Sequence, residues 1–295
     1  MPNVKANGIQ IEYDTFGNPA DEPLLLIMGL GSQMILWHED FCRMFVERGH
    51  YVIRFDNRDV GQSSWMDDLG MPNVLGILTS VATRQPVTAP YLLKDMAADA
   101  AGLLDALDIA SAHIVGASMG GMIAQTLALD APTRVRSLTS IMSSTGNPNL
   151  PQPRPDAMAV LLTPSPPDRD GAIERGVTVF RIIGSPGFPF EEDEVRRLAT
   201  LAYDRGFNPT GTARQLVAIL ASGSRVERLR GLRVPTLVIH GKDDPLVPFE
   251  AGEDTAQTIP GATILAIEGM GHDMPRPTWA PMIDAICALA ARADA

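Results

Sequence analysis

Short apolar runs punctuate the chain from end to end: Leu24–Met28, Tyr51–Phe55, His113–Val115, Leu138–Met142, Thr236–Ile239 and Thr263–Ile267. Each is continuous rather than alternating, which is the pattern of parallel strands covered on both faces. Ahead of them, VKANGIQIEYDTFGNP does alternate and breaks at Asn7-Gly8, so it predicts an antiparallel hairpin at a sheet edge. Stretches of helical spacing lie between the runs; Met96, Ala100, Leu103, Leu104 and Leu107 share one face. Strand and helix in alternation predict an α/β fold with a doubly wound, mostly parallel sheet.

The alternation stops over residues 146–229. GNPNLPQPRPDAMAVLLTPSPPDRD carries seven prolines, too many for an element of the core. Helical segments near 170–183, 191–205 and 210–221 follow without a strand among them, and Val195, Leu198, Ala199 and Ala202 form one stripe. Residues 1–145 and 230–295 therefore read as one core, with 146–229 a mostly helical cap inserted into it. An insertion on the strand-end side of such a sheet covers the ligand crevice. The bland alternative is a structural filler.

Composition narrows the class. The 295 residues are 45% hydrophobic and 20% charged, and the net charge of −11 disfavours nucleic-acid phosphates as partners. MPNVKANGIQIEYD has neither the basic region nor the apolar core of a signal peptide. The apolar stretch from Leu24 to Leu30 is too short to span a bilayer. A cytoplasmic protein with no membrane partner is expected, as a monomer or homodimer. Cys42 and Cys287 show no redox or ligand spacing, and each is expected as a buried free thiol in a helix. MGLGSQ lacks the dinucleotide-binding spacing, and no phosphate loop or metal-ligand pattern occurs. No cofactor and no metal are expected.

The chemistry is concentrated at HIVGASMGGMIAQ, residues 113–125. An apolar strand gives way at once to helical spacing, which needs an abrupt bend. Gly116 and Gly120 let backbone come close on both sides of it. A serine at that corner, Ser118, points its hydroxyl away from the sheet, where a nucleophile belongs.

A serine hydroxyl is barely ionised at neutral pH and needs a base, itself oriented by a third group. Of the five histidines, His113 and His50 sit at strand starts and His38 in a helix-like segment. His240 ends a strand and reads as structural. His272, in EGMGHDMPRP, follows the last strand on a glycine-bounded loop. The carboxylates available are Asp243 and Asp244 in VIHGKDDPLVP. Asp244 precedes Pro245, which restricts it to an extended backbone and favours it for holding an imidazole. Asp273 is adjacent to His272 and poorly placed to orient it.

The order Ser118, Asp244, His272 is the nucleophile–acid–base order of α/β hydrolases. GASMGG, FDNRDVGQS, HGKDDPLVP and GMGH resemble the α/β-hydrolase fold superfamily over essentially the whole chain. MGLGSQMILW, VIRFDNRDVGQSS and EGMGHDMP look most like its aclacinomycin methylesterase group of carboxylic-ester hydrolases. The resemblance implies an α/β-hydrolase fold with a helical cap, no cofactor, and a small-molecule ester as substrate. It also places the catalytic acid at Asp244. Met119, after the nucleophile, supplies one backbone amide of an oxyanion hole; the resemblance gives the second to Leu30 in IMGLGS. The family often has His-Gly where this chain has Met28-Gly29.

The expected function is a serine-nucleophile esterase for small to medium apolar esters. A lactonase, thioesterase, carbon–carbon hydrolase or perhydrolase would use the same triad, and a ligand-binding member with an idle triad is the non-enzymatic alternative. Asp56 and Arg58 are read as a buried pair fixing the loop after a strand, and Trp37 as a packing anchor for the oxyanion loop. Met28, Met119, Met122, Met142, Met270 and Met274 lie near the proposed site. They could form a pliant pocket or simply fill the core.

Overall fold

Side chains of neighbouring residues on a strand point to opposite faces, and here the two sets bury in separate clusters. Leu25, Ile27, Ile53, Phe55, Ile114 and Leu138 belong to one, while Leu24, Leu26, Val52, Val115, Leu237 and Ile239 belong to the other. That division is why the strands read as continuous apolar runs. The structure is a computed structural model that describes residues 1–83, 85 and 87–293.

Eight strands form one sheet: β1 (Asn3–Ala6), β2 (Ile9–Phe16), β3 (Glu22–Ile27), β4 (His50–Phe55), β5 (Ala112–Ala117), β6 (Val135–Ile141), β7 (Thr236–Gly241) and β8 (Thr263–Ile267). Their order is β1-β2-β4-β3-β5-β6-β7-β8. Pairing is antiparallel for β1–β2 and β2–β4 and parallel from β4 through β8. The edge hairpin turns at Asn7 and Gly8, which have φ 47° and 82°, as an Asn-Gly turn requires.

The helices are α1 (Glu39–Val46), α2 (Val74–Ala82), α3 (Leu93–Ala106), α4 (Met119–Asp130), α5 (Pro155–Leu162), α6 (Arg169–Ile183), α7 (Glu192–Arg205), α8 (Pro209–Ser222), α9 (Val226–Leu229), α10 (Phe249–Thr258) and α11 (Trp279–Ala293). Met96, Ala100, Leu103 and Leu104 of α3 and Ile123 and Leu127 of α4 pack on one face of the sheet. Phe41 and Phe45 of α1 with Met282, Ile283 and Ile286 of α11 cover the other. The sheet is doubly wound.

Between β6 and β7 the described residues form helices α5 to α9 and no strand. One helix there departs from the proline-based expectation. Pro155 opens α5 instead of excluding it, because a first-turn residue needs no N–H for the helix ladder. Residues 84, 86, 294 and 295 of the expected core lie outside the described residues. No helix among the described residues is long and apolar enough to cross a membrane.

Both cysteines are free, but only Cys42 is fully buried; Cys287 is half-buried on α11. Burial pushes the Cys42 thiol up to about 12 and that of Cys287 to about 11, so neither is a nucleophile at neutral pH.

Candidate active site

Ser118 occupies the single residue between β5 and α4. Its backbone lies at φ 55°, ψ −121°, a strained region for a residue with a side chain. The glycines beside it are sterically required. A Cβ on Gly116 would fall 2.1 Å from the Gly120 carbonyl oxygen, and one on Gly120 would fall 2.0 Å from that of Ile27. The elbow is tied to the next strand: the Ser118 N–H donates to the Ile141 carbonyl at 2.9 Å, and the Ser143 hydroxyl donates to the Ser118 carbonyl at 2.8 Å.

The loops after β7 and β8 bring two more groups to this corner. His272 Nε2 lies 2.9 Å from Ser118 Oγ, and its Nδ1 lies 2.7 Å from Asp244 Oδ2. A carboxylate only accepts, so Nδ1 carries the proton and Nε2 is left to accept the serine hydroxyl. The other oxygen of Asp244 accepts from the backbone N–H groups of Leu246 and Val247 at 2.9 and 2.8 Å. Asp244 is buried. Burial alone would raise its carboxyl, but His272 and His240 beside it more than reverse this and hold it well below the ordinary carboxylate range.

The rival acids are engaged elsewhere. Asp243 accepts from the Gly269 N–H at 2.9 Å, and Asp273 accepts from the Ser185 hydroxyl. Burial raises the Asp273 carboxyl. His240 donates through Nε2 to the Val247 carbonyl at 2.8 Å and stands 3.6 Å from Asp244 Oδ2, where it supports the acid loop. His38 caps α1, accepting from the Asp40 N–H. His113 bonds Ser137 at 2.9 Å, and His50 packs edge-on against Phe45.

The loop after β3 passes close by. A Cβ on Gly29 would lie 3.1 Å from Ser118 Cβ and 3.6 Å from its Oγ. The N–H groups of Leu30 and Met119 have no acceptor among the described residues. The loop is held without a histidine, Met28 standing before Gly29. Asn57 Nδ2 donates to the Met28 carbonyl at 2.9 Å, the Met34 N–H donates to Asp56 at 2.8 Å, and the Gly31 N–H donates to Gln215 at 2.8 Å. Trp37 is fully buried in the cluster that contains Met28.

Asp56 and Arg58 do not pair with each other. Asp56 meets Arg205 at 2.9 Å, while Arg58 grips Asp99 through two bonds of 2.6 and 2.7 Å. The strand ends and the two residues diverge, so each finds a partner on a different element. Met28, Met142 and Met270 fill one core cluster and Met119 the other; Met122 and Met274 are half-buried.

Residues from the β6–β7 segment also reach the site; the sequence marked the segment as a cap but not these contacts. The His272 N–H donates to the Ile183 carbonyl at 2.7 Å, and the Gly271 N–H donates to Ser185 Oγ at 2.9 Å. Gln33 donates to the carbonyls of Ala202 and Gly206 at 2.7 and 2.9 Å. Apart from the Ser185 hydroxyl these are backbone carbonyls, 86 to 173 positions from their partners, with no motif of their own.

Residues 22–275 match the model of the alpha/beta hydrolase fold family. The chain is 34% identical to rhodomycin D methylesterase of Streptomyces peucetius over 292 residues, covering 92% of each. Two solved structures share the fold at low identity. An esterase from Exiguobacterium antarcticum superposes with a TM-score of 0.75 at 20% identity, covering 98% of each chain. An enol-lactonase from Burkholderia xenovorans superposes with a TM-score of 0.72 at 20% identity, covering 99% of each. At that identity the two likenesses speak for the fold alone.

Proposed function

This chain belongs to the α/β-hydrolase fold family and is similar within it to the aclacinomycin methylesterase group, and on that premise we propose that it is a carboxylic-ester hydrolase with Ser118 as nucleophile. The observation that carries the reading is the unbroken relay from Ser118 Oγ through His272 to Asp244, at 2.9 and 2.7 Å. Its supports are the methylesterase relative, the approach of the Gly29 loop to Ser118, and the amides of Leu30 and Met119, which have no acceptor among the described residues.

In this reading, Ser118 Oγ attacks the ester carbonyl while its proton passes to His272 Nε2. Asp244 stabilises the imidazolium and keeps its Nδ1–H directed. The carbonyl oxygen becomes an alkoxide facing the amides of Leu30 and Met119. Removing one such donor in a hydrolase of this chemistry lowers turnover about 10²–10³-fold. The tetrahedral adduct then expels the alcohol, which takes the proton from His272. Water attacks the acyl-enzyme by the same relay, giving the acid and regenerating Ser118.

The helical segment 146–229 serves in this reading as the cap that selects the ester. Its support is contact: α6, α7 and the turn after α6 bond directly to both loops that flank Ser118. A chromogenic ester should give a burst of alcohol equal to the enzyme concentration, and a serine-directed phosphonate should add mass at Ser118. Absence of turnover across a panel of esters, lactones and thioesters, or labelling at another serine, would overturn the assignment. Specificity constants across that panel rank the ester reading against the other acyl transfers.

A further inference from the structure

Gln215 on α8 is completely buried, and both ends of its carboxamide are in use. Oε1 accepts from the Gly31 N–H at 2.8 Å, and Nε2 donates to the Arg58 carbonyl at 2.7 Å. One partner only donates and the other only accepts, so the amide has a single orientation. The side chain bridges the loop after β3 and the loop after β4.

The loop after β3 needs such a tie. Gly29 and Gly31 flank Leu30, and Gly31 stands at φ 63°, so the peptides around Leu30 can rotate at little steric cost. Met28 and Met34 are held at the two ends of the loop by Asn57 and Asp56. In the middle the ties are local and long: the Ser32 N–H donates to the Gly29 carbonyl at 3.2 Å and Ser32 Oγ to the Leu30 carbonyl at 3.3 Å. Among the described residues, Gln215 is the one partner from outside the loop that bonds the Leu30–Gly31 peptide.

We propose that Gln215 is a positioning residue that holds the Leu30–Gly31 peptide and so keeps the Leu30 N–H directed at the developing oxyanion. The proposal rests on the esterase reading and on Leu30 as an oxyanion donor. It makes α8 part of the catalytic apparatus without contact to substrate. Without Gln215 the half-buried Gly31 N–H has no acceptor among the described residues, and the loop relaxes towards one. A donor displaced by about 1 Å can cost on the order of 10²-fold in rate.

The test compares the native enzyme with Gln215→Leu and Gln215→Glu, with rates expressed per site titrated to completion by the phosphonate so that misfolded protein drops out. Gln215→Leu is expected to lower kcat per titrated site about 10–100-fold with KM within about threefold. Affinity for a trifluoromethyl ketone, which binds as an alkoxide adduct, should fall by the same factor as kcat/KM, while affinity for the matching methyl ketone stays unchanged. Gln215→Glu keeps an oxygen for the Gly31 N–H and, protonated in this buried position, a donor for the Arg58 carbonyl, and should recover most of the lost rate. Should the leucine variant give no titratable sites, Gln215→Met, closer in length, replaces it. Turnover within twofold of native per titrated site overturns the proposal, as does a loss carried by KM with the trifluoromethyl ketone unaffected. A native enzyme that hydrolyses no ester instead overturns the esterase reading itself.

Discussion

Ser118 holds a backbone conformation that costs on the order of 1–3 kcal/mol for a residue with a Cβ, at φ 55°. The β5–α4 framework and the two flanking glycines keep it there. Alanine has the same backbone cost, so Ser118→Ala should retain native stability while turnover falls on the order of 10⁶-fold, measured against a chromogenic ester. The adjacent acids separate cleanly by what they touch. Asp244→Asn should lower turnover about 10⁴-fold by favouring the wrong tautomer of His272, whereas Asp243→Asn, which alters a bond to the Gly269 N–H, should cost far less. Equal losses would assign the acid wrongly. The depressed carboxyl of Asp244 also makes a pH prediction. An acid with a lowered folded pKa stabilises the fold above its unfolded value, about 3.9, and loses that contribution as pH falls through the folded value. The ionisation-dependent part of the stability gap between native protein and Asp244→Asn should therefore be full above about pH 4–5 and shrink below it, as read from urea denaturation at stepped pH. A part that grows towards acid pH would contradict the assigned charge.

At the scale of elements, the segment between β6 and β7 grips both catalytic loops. The carbonyl of Ile183 and the hydroxyl of Ser185 hold the His272 loop, while the carbonyls of Ala202 and Gly206 and the side chains of Arg205 and Gln215 hold the loop of Leu30. On the proposed reading, specificity and chemistry would be mechanically joined through these bonds. A tryptophan scan of the apolar positions in 170–221 should change preference among short and long esters, with the smallest ester least affected. Uniform losses along the series at every position, or none, would remove the segment from the pocket wall.

For the whole molecule, a buried ion pair welds this segment to the sheet. Arg214 of α8 and Asp59, both fully buried, meet through bonds of 2.9 and 2.6 Å, and Asp59 also accepts from the Tyr91 hydroxyl at 2.7 Å. Removing one partner strands the other in low dielectric, so Arg214→Met should cost about 3–5 kcal/mol of unfolding free energy. Adding Asp59→Asn to that variant should recover part of the loss, because the orphaned charge disappears. Urea unfolding of the two single variants and the double gives the coupling directly.

Much of this molecule was legible as sequence. The apolar runs, the Asn7-Gly8 hairpin and the elbow around Ser118 are local, and locally periodic patterns report burial on each face. Proline after Asp244 and glycine around Ser118 and His272 likewise fix backbone through steric effects that need no distant partner. The order of Ser118, Asp244 and His272 could be read because each follows its own strand. The partners of buried charges could not be read. Asp56 chose Arg205 and Arg58 chose Asp99, since any arginine can satisfy any carboxylate until the chain is folded. Gln215 carries no motif, and its partner Gly31 lies 184 residues away. Hydrophobic burial is encoded by position along an element, whereas a directional bond depends on where two elements finally lie. That is why the sequence determined the sheet and the candidate triad, and only the tertiary structure decided what holds them in register.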